Sequence, residues 1–130
     1  MQFHHIGIAC QNIPETLQFV KKSFPVTHTT DIIFDANQNA DLCLLTLEDD
    51  SHIELVSGVA VEKFIKKRQS IYHTCWQVKN IDQAIEKLYD NGAMLISAPK
   101  EAILFDNRRV AFLFSDIGII ELLEETVSAF

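Results

Sequence analysis

The chain opens with QFHHIGIAC at residues 2–10, a short run mixing apolar and polar positions that stops at turn-prone Gln11 and Asn12 and so predicts a strand. The period then changes. Pro14, pre-set for a first helical turn, is followed by Leu17, Val20 and Phe24 at three- and four-residue spacing, which predicts a helix over 14–24. Strand-like segments follow at 28–34, 42–47 and 51–56, the last two parted only by the acidic turn at Asp49 and Asp50. Connections this short leave no room for crossovers, so these three strands are expected to pair antiparallel.

After a basic, partly helical linker at 58–69 that carries Lys63, Lys66, Lys67 and Arg68, the same order begins again. SIYHTCWQV at 70–78 predicts a strand, and Asn80 suits a helix N-cap. Ile81, Ala84, Ile85 and Leu88 form an apolar stripe, and Gly92 can close that helix in a left-handed conformation. Three strands are expected near 94–97, 109–115 and 119–124. Each half therefore reads strand, helix, three strands. The two halves also share a register: YHTCWQVKNID repeats HHIGIACQNIP, with His5 to His73, Asn12 to Asn80 and Ile13 to Ile81 all 68 apart and Glu54 to Glu121 67 apart. Two copies make a pseudo-symmetric pair of modules and not a solenoid, which needs three or more.

Side chains alternate faces along a strand, so His5, Gly7 and Ala9 share one face, opposite His4, Ile6 and Ile8. In the repeat His73, Cys75 and Gln77 lie together. Glu54 interrupts the apolar HIELV, and Glu121 interrupts GIIELLEE still more plainly. A carboxylate in such a setting needs a cation or hydrogen-bond donors, because burying it alone is very costly. One imidazole and one carboxylate from each half suit a shared first-row divalent ion, Co, Ni, Mn, Fe or Zn; four protein ligands on an octahedral ion leave two positions for water or substrate. The alternative is a buried hydrogen-bonded cluster that holds no ion.

Composition narrows the partners. At 130 residues, 48% hydrophobic and 22% charged, one compact domain is expected, with module one over 1–57, the linker over 58–69 and module two over 70–130. A net charge of -7 argues against nucleic acid as the main partner, since such binding gains most of its affinity from clustered Lys and Arg. No apolar run is long enough to span a membrane and no leader pattern precedes the first strand, so a cytoplasmic location is expected. Cys10, Cys43 and Cys75, odd in number and widely spaced, fit buried reduced thiols better than a disulfide framework.

FHHIGIA with NIPETLQFV, HIELV, YHTCWQV with NIDQAIEKLYDNGA, and RVAFLFSDIGIIELLE together resemble the vicinal oxygen chelate superfamily, and within it the methylmalonyl-CoA epimerases and glyoxalases I. The resemblance runs from Phe3 to Glu124. It implies an α+β fold in which two βαβββ modules form a pseudo-symmetric, eight-stranded half-open barrel around a metal cavity, and a homodimer. It implies His5, Glu54, His73 and Glu121 as ligands of one divalent ion, with Glu121 also the base and Glu54 the other catalytic acid. The expected reaction is removal of a proton next to a metal-bound carbonyl of a small molecule, an acyl-CoA or other thioester, with return to the same carbon as in an epimerase. A glyoxalase-type lyase and a non-catalytic binder of antibiotics or other small molecules are the alternatives. Where the epimerases carry a second acid upstream of the module-one ligand, this chain has Gln38. Lys66, Lys67 and Arg68 read as a solvated face, Arg108 and Arg109 as surface cations that could stand at a cavity mouth, His52 as an exposed edge residue, and Trp76 and the phenylalanines as core.

Overall fold

A computed structural model describes residues 1–125. The chain divides into two compact units, one of His5–Tyr72 and one of Met1–His4 with His73 onwards. Nine strands and three α-helices are present among the described residues.

β1 (Gln2–Ala9), which enters the first unit at His5, leads into α1 (Ile13–Ser23). The Asn12 side chain caps α1 by accepting from the Glu15 backbone N–H at 3.0 Å, with Pro14 in the first turn. The helix ends where Phe24 turns extended, the conformation that a following proline, Pro25, demands. Then come β2 (Val26–Thr29), β3 (Ile33–Asp35), β4 (Ala40–Leu47) and β5 (His52–Ser57). Strands β2 and β3 both pair antiparallel with β4, β4 pairs antiparallel with β5, and β5 returns beside β1 in parallel. The single strand expected over 28–34 is thus two short ones, which takes the strand count from eight to nine. Thr30 breaks it: its hydroxyl accepts the Leu44 N–H at 2.9 Å, taking a ladder position with a side chain. The linker forms a 3-10 turn at Val59–Val61 and the short α2 (Glu62–Lys66), as the basic stretch predicts.

The second unit repeats the plan with β6 (Ile71–Val78), α3 (Ile81–Asp90), β7 (Met94–Ala102), β8 (Arg108–Ser115) and β9 (Gly118–Glu124). Strand β7 pairs antiparallel with β8, β8 with β9, and β9 lies parallel to β6. Asn80 caps α3 through the Gln83 N–H at 3.0 Å. At the other end Gly92 takes φ +101, and the Gly92 and Ala93 amides bond back to Tyr89 and Leu88, the paired bonds of a Schellman motif. β7 runs five residues beyond expectation, through Pro99. As the outermost strand of this set it tolerates a proline, and its register slips on both sides of Ser97.

Each helix covers one face of its own strands. Ile13 and Val20 of α1 pack on Cys10, Cys43, Leu45 and Leu55, and under α3 lie Val78, Ala111, Leu113, Ile120 and Leu122. Burial of each large apolar side chain contributes roughly 1.5–3 kcal/mol. All three cysteines are buried and reduced, as their spacing suggested. No helix among the described residues is long and apolar enough to cross a membrane.

Candidate metal-ligand pairs

Strand alternation sends every second residue to the face away from the helix, and the two acids stand there. In β5 Ile53 and Leu55 meet the α1 core while Glu54 points the other way; in β9 Ile120 and Leu122 meet the α3 core while Glu121 does so. Each acid is buried all the same, Glu54 at 1% exposure and Glu121 at 0%.

Register brings one histidine to each. Glu54 lies opposite Gly7, two residues beyond His5; Glu121 lies opposite Cys75, two residues beyond His73. The same offset in both modules accounts for the repeated phrase in the sequence. His5 Nε2 stands 3.6 Å from Glu54 Oε1, and His73 Nε2 stands 3.2 Å from Glu121 Oε1. Both histidines are buried as well. One imidazole nitrogen and one carboxylate oxygen, desolvated and facing each other, make a donor pair that fits a first-row divalent ion. Sequence reasoning named all four residues, and the structure brings His5 to Glu54 and His73 to Glu121.

The surroundings differ between modules. The His73 ring meets Phe112 edge-on at 5.8 Å, and Phe112 is the cross-strand partner of Glu121, so an aromatic wall flanks this pair. In the first module the Cα partner of His5 is His52, whose Nδ1 lies 3.1 Å from Thr46 Oγ1. His52 is therefore not an edge residue: β5 is flanked by β4 and β1, and the imidazole is half-buried. Phe112 and Thr46 were missed, although alternation from Glu121 and Glu54 through the paired strands leads to both.

Gln38 sits in the turn between β3 and β4, where its Nε2 donates to Asp35 Oδ2 at 3.1 Å. Asp35 also accepts the backbone N–H groups of Asn37 and Gln38 and is 3% exposed. The amide at the position of the expected second acid is thus fixed to a buried carboxylate, which the sequence reading had passed over. The phenylalanines divide: Phe64 and Phe105 are core, whereas Phe3, Phe19, Phe24, Phe34 and Phe114 are exposed. Arg109 is bound by Glu124 through two bonds of 3.0 and 2.8 Å, with Asp82 at 3.6 Å. The Arg109 hydrogen bonds hold the Glu124 carboxyl below its usual range, and the same bonds raise Arg109 further.

An α+β chain of two βαβββ modules, each carrying a buried His/Glu pair, defines the class. Residues 4–112 match the Glyoxalase/Bleomycin resistance protein/Dioxygenase superfamily, and the chain belongs to that family. The matched stretch includes His5, Glu54 and His73 and stops short of Glu121. Among solved structures, a hypothetical protein, BH1468, from Bacillus halodurans C-125 is 27% identical, with 99% of this chain and 97% of that one covered and a TM-score of 0.79. Methylmalonyl-CoA epimerase from Mycobacterium tuberculosis is 19% identical, covering 97% and 89%, with a TM-score of 0.82. The Streptomyces coelicolor methylmalonyl-CoA epimerase in complex with 2-nitronate-propionyl-CoA is 20% identical, covering 98% and 99%, at 0.75. No curated protein sequence matches the chain.

Proposed function

We propose that this chain is a metal-dependent isomerase of epimerase type, in which His5, Glu54, His73 and Glu121 together hold one divalent ion. The observation that carries the reading is the duplication of a buried His/Glu pair at one register in both modules. A shared ion explains why two acids stay buried on the faces that no helix covers. Bound there, a divalent cation would supply Lewis-acid stabilisation of the negative charge that develops on a substrate carbonyl oxygen.

The chain's own groups do the rest. Glu121 takes the proton from the carbon beside the carbonyl, acting as a general base positioned at that carbon. His73, 3.2 Å away and braced by Phe112, keeps that carboxylate in one orientation. Glu54 in the other module is the second acid, and return of the proton by a different group from the one that took it is what inverts the carbon. Gln38 cannot take that part, because an amide does not exchange protons as a carboxylic acid does and its side chain is held by Asp35. The substrate class we favour is a 2-substituted acyl thioester, as in the coenzyme A complex of the Streptomyces relative.

A second reading, a glyoxalase-type lyase, is favoured by Gln38 itself, an amide at the position where the epimerases carry a second acid. Incubation of the metal-loaded protein with methylmalonyl-CoA in heavy water, and separately with a glutathione hemithioacetal, distinguishes them. Deuterium at C2 of the thioester, abolished by Glu121→Gln, is the expected result. Exchange only with the hemithioacetal supports the lyase, and no exchange with either overturns both.

A further inference from the structure

The two neighbouring arginines of β8 have opposite surroundings. Arg109 faces α3 and is neutralised by Glu124 and Asp82. Arg108 points to the other face, that of His73 and Glu121: its Nη1 donates to Gln77 Oε1 at 3.3 Å, and Gln77 shares the His73 and Cys75 side of β6. Its Nε donates to the Phe105 carbonyl oxygen at 3.1 Å, and the guanidinium lies 5.9 Å from the Phe105 ring. Two of the five N–H groups are thereby used, both on neutral acceptors. Among the described residues no carboxylate pairs with this half-buried cation, although the chain as a whole carries -7.

A fixed positive charge held by neutral partners on a binding face, in an acidic protein, is placed to receive an anion. Lys100, the cross-strand partner of Val110, adds a second charge on the same face. Cys75 is the Cα partner of Glu121, and Gln77, which holds the guanidinium, is two residues further on, roughly 7 Å along the strand.

We propose that Arg108, backed by Lys100, is a carboxylate subsite for the substrate whose reacting carbon meets Glu121. The planar guanidinium fits a carboxylate through paired N–H groups. The assignment deepens the proposed reaction and rests on it for the place of the reacting carbon.

The test measures binding of succinate, glutarate and adipate by calorimetry to the cobalt-loaded and to the chelator-treated protein. In the loaded protein affinity should rise with chain length as the second carboxylate reaches Arg108. Arg108→Met should weaken adipate at least about tenfold and remove the length dependence, with Arg108→Lys recovering part of the loss and Arg109→Met leaving adipate unchanged. Equal cobalt content in Arg108→Met and wild type shows that the variant is folded and the ion pocket intact. Unchanged adipate binding in Arg108→Met, or an equal loss in Arg109→Met, overturns the subsite. Tighter binding of inorganic phosphate than of adipate, with the same dependence on Arg108, overturns the carboxylate assignment. Failure of the wild type to take up cobalt overturns the metal reading alone, because loss of adipate binding in Arg108→Met is then still scored in the chelator-treated protein.

Discussion

Replacing His73 and Glu121 together by Leu and Met decides whether their pair is held for a cation or for the fold. Both side chains are buried beside the apolar Phe112, so the replacements restore a continuous hydrophobic surface of similar volume. Exchanging a buried ionisable pair for apolar groups stabilises proteins by about 1–4 kcal/mol in favourable cases, because two desolvation penalties disappear. For 130 residues, an unfolding entropy of about 2.1 cal/mol/K per residue gives about 0.27 kcal/mol/K, so the gain is a rise of about 4–15 °C in Tm with chelator present. The wild type should instead gain from metal, about 2.7 kcal/mol or about 10 °C at a hundredfold excess over Kd. The variant should gain nothing. Thermal unfolding followed by circular dichroism, with chelator and then with cobalt, reads both effects. A chelator-treated variant that melts below the wild type refutes the reasoning, since the pair is then a stabilising structural contact.

Glu124→Gln should cost about 0.5–1 kcal/mol near neutral pH, a modest loss because the Arg109 end of the pair is open to solvent. The folded pKa of Glu124 lies below its ordinary 4.5, so the stabilisation is present above that value and disappears as pH falls through the folded pKa; urea titrations of both proteins from neutral to acid pH should converge there. Burial raises the Cys10 and Cys43 thiols above 9.0, so both should resist a thiol reagent at neutral pH in the native protein and react at once in guanidinium. Gly92→Ala should lower stability by about 1 kcal/mol through the left-handed backbone alone, because a Cβ there meets open space; a loss several times larger in denaturant titration would mean hidden packing.

The fold was readable where local chemistry and periodicity agreed. Asn12 and Asn80 cap their helices as their positions imply, and Gly92 closes α3 as expected. What escaped was decided by side chains replacing backbone partners and by strand position. Thr30 cuts one strand in two with its hydroxyl, and Pro99 fails to end β7 because that strand has a neighbour on only one side. The acids stood out because a charge inside HIELV or GIIELLE breaks an apolar run, and the repeat matched each acid with a histidine. Asp35 did not stand out, since an acid ahead of Asn37 looks like an ordinary turn residue, and its burial depends on how β3 lies on β4. The contrast between Arg108 and Arg109 was equally hidden, because adjacent strand residues differ only in the face they take.

Elemental analysis of the cobalt-loaded, dialysed protein tests the shared centre most directly when His5→Ala and His73→Ala are measured beside the wild type. The account predicts one ion per wild-type chain and near none in either variant, since in the proposed site each module would supply half of the ligands. Two ions per chain, with each substitution removing only one of them, would contradict it, and so would a wild type that retains no ion.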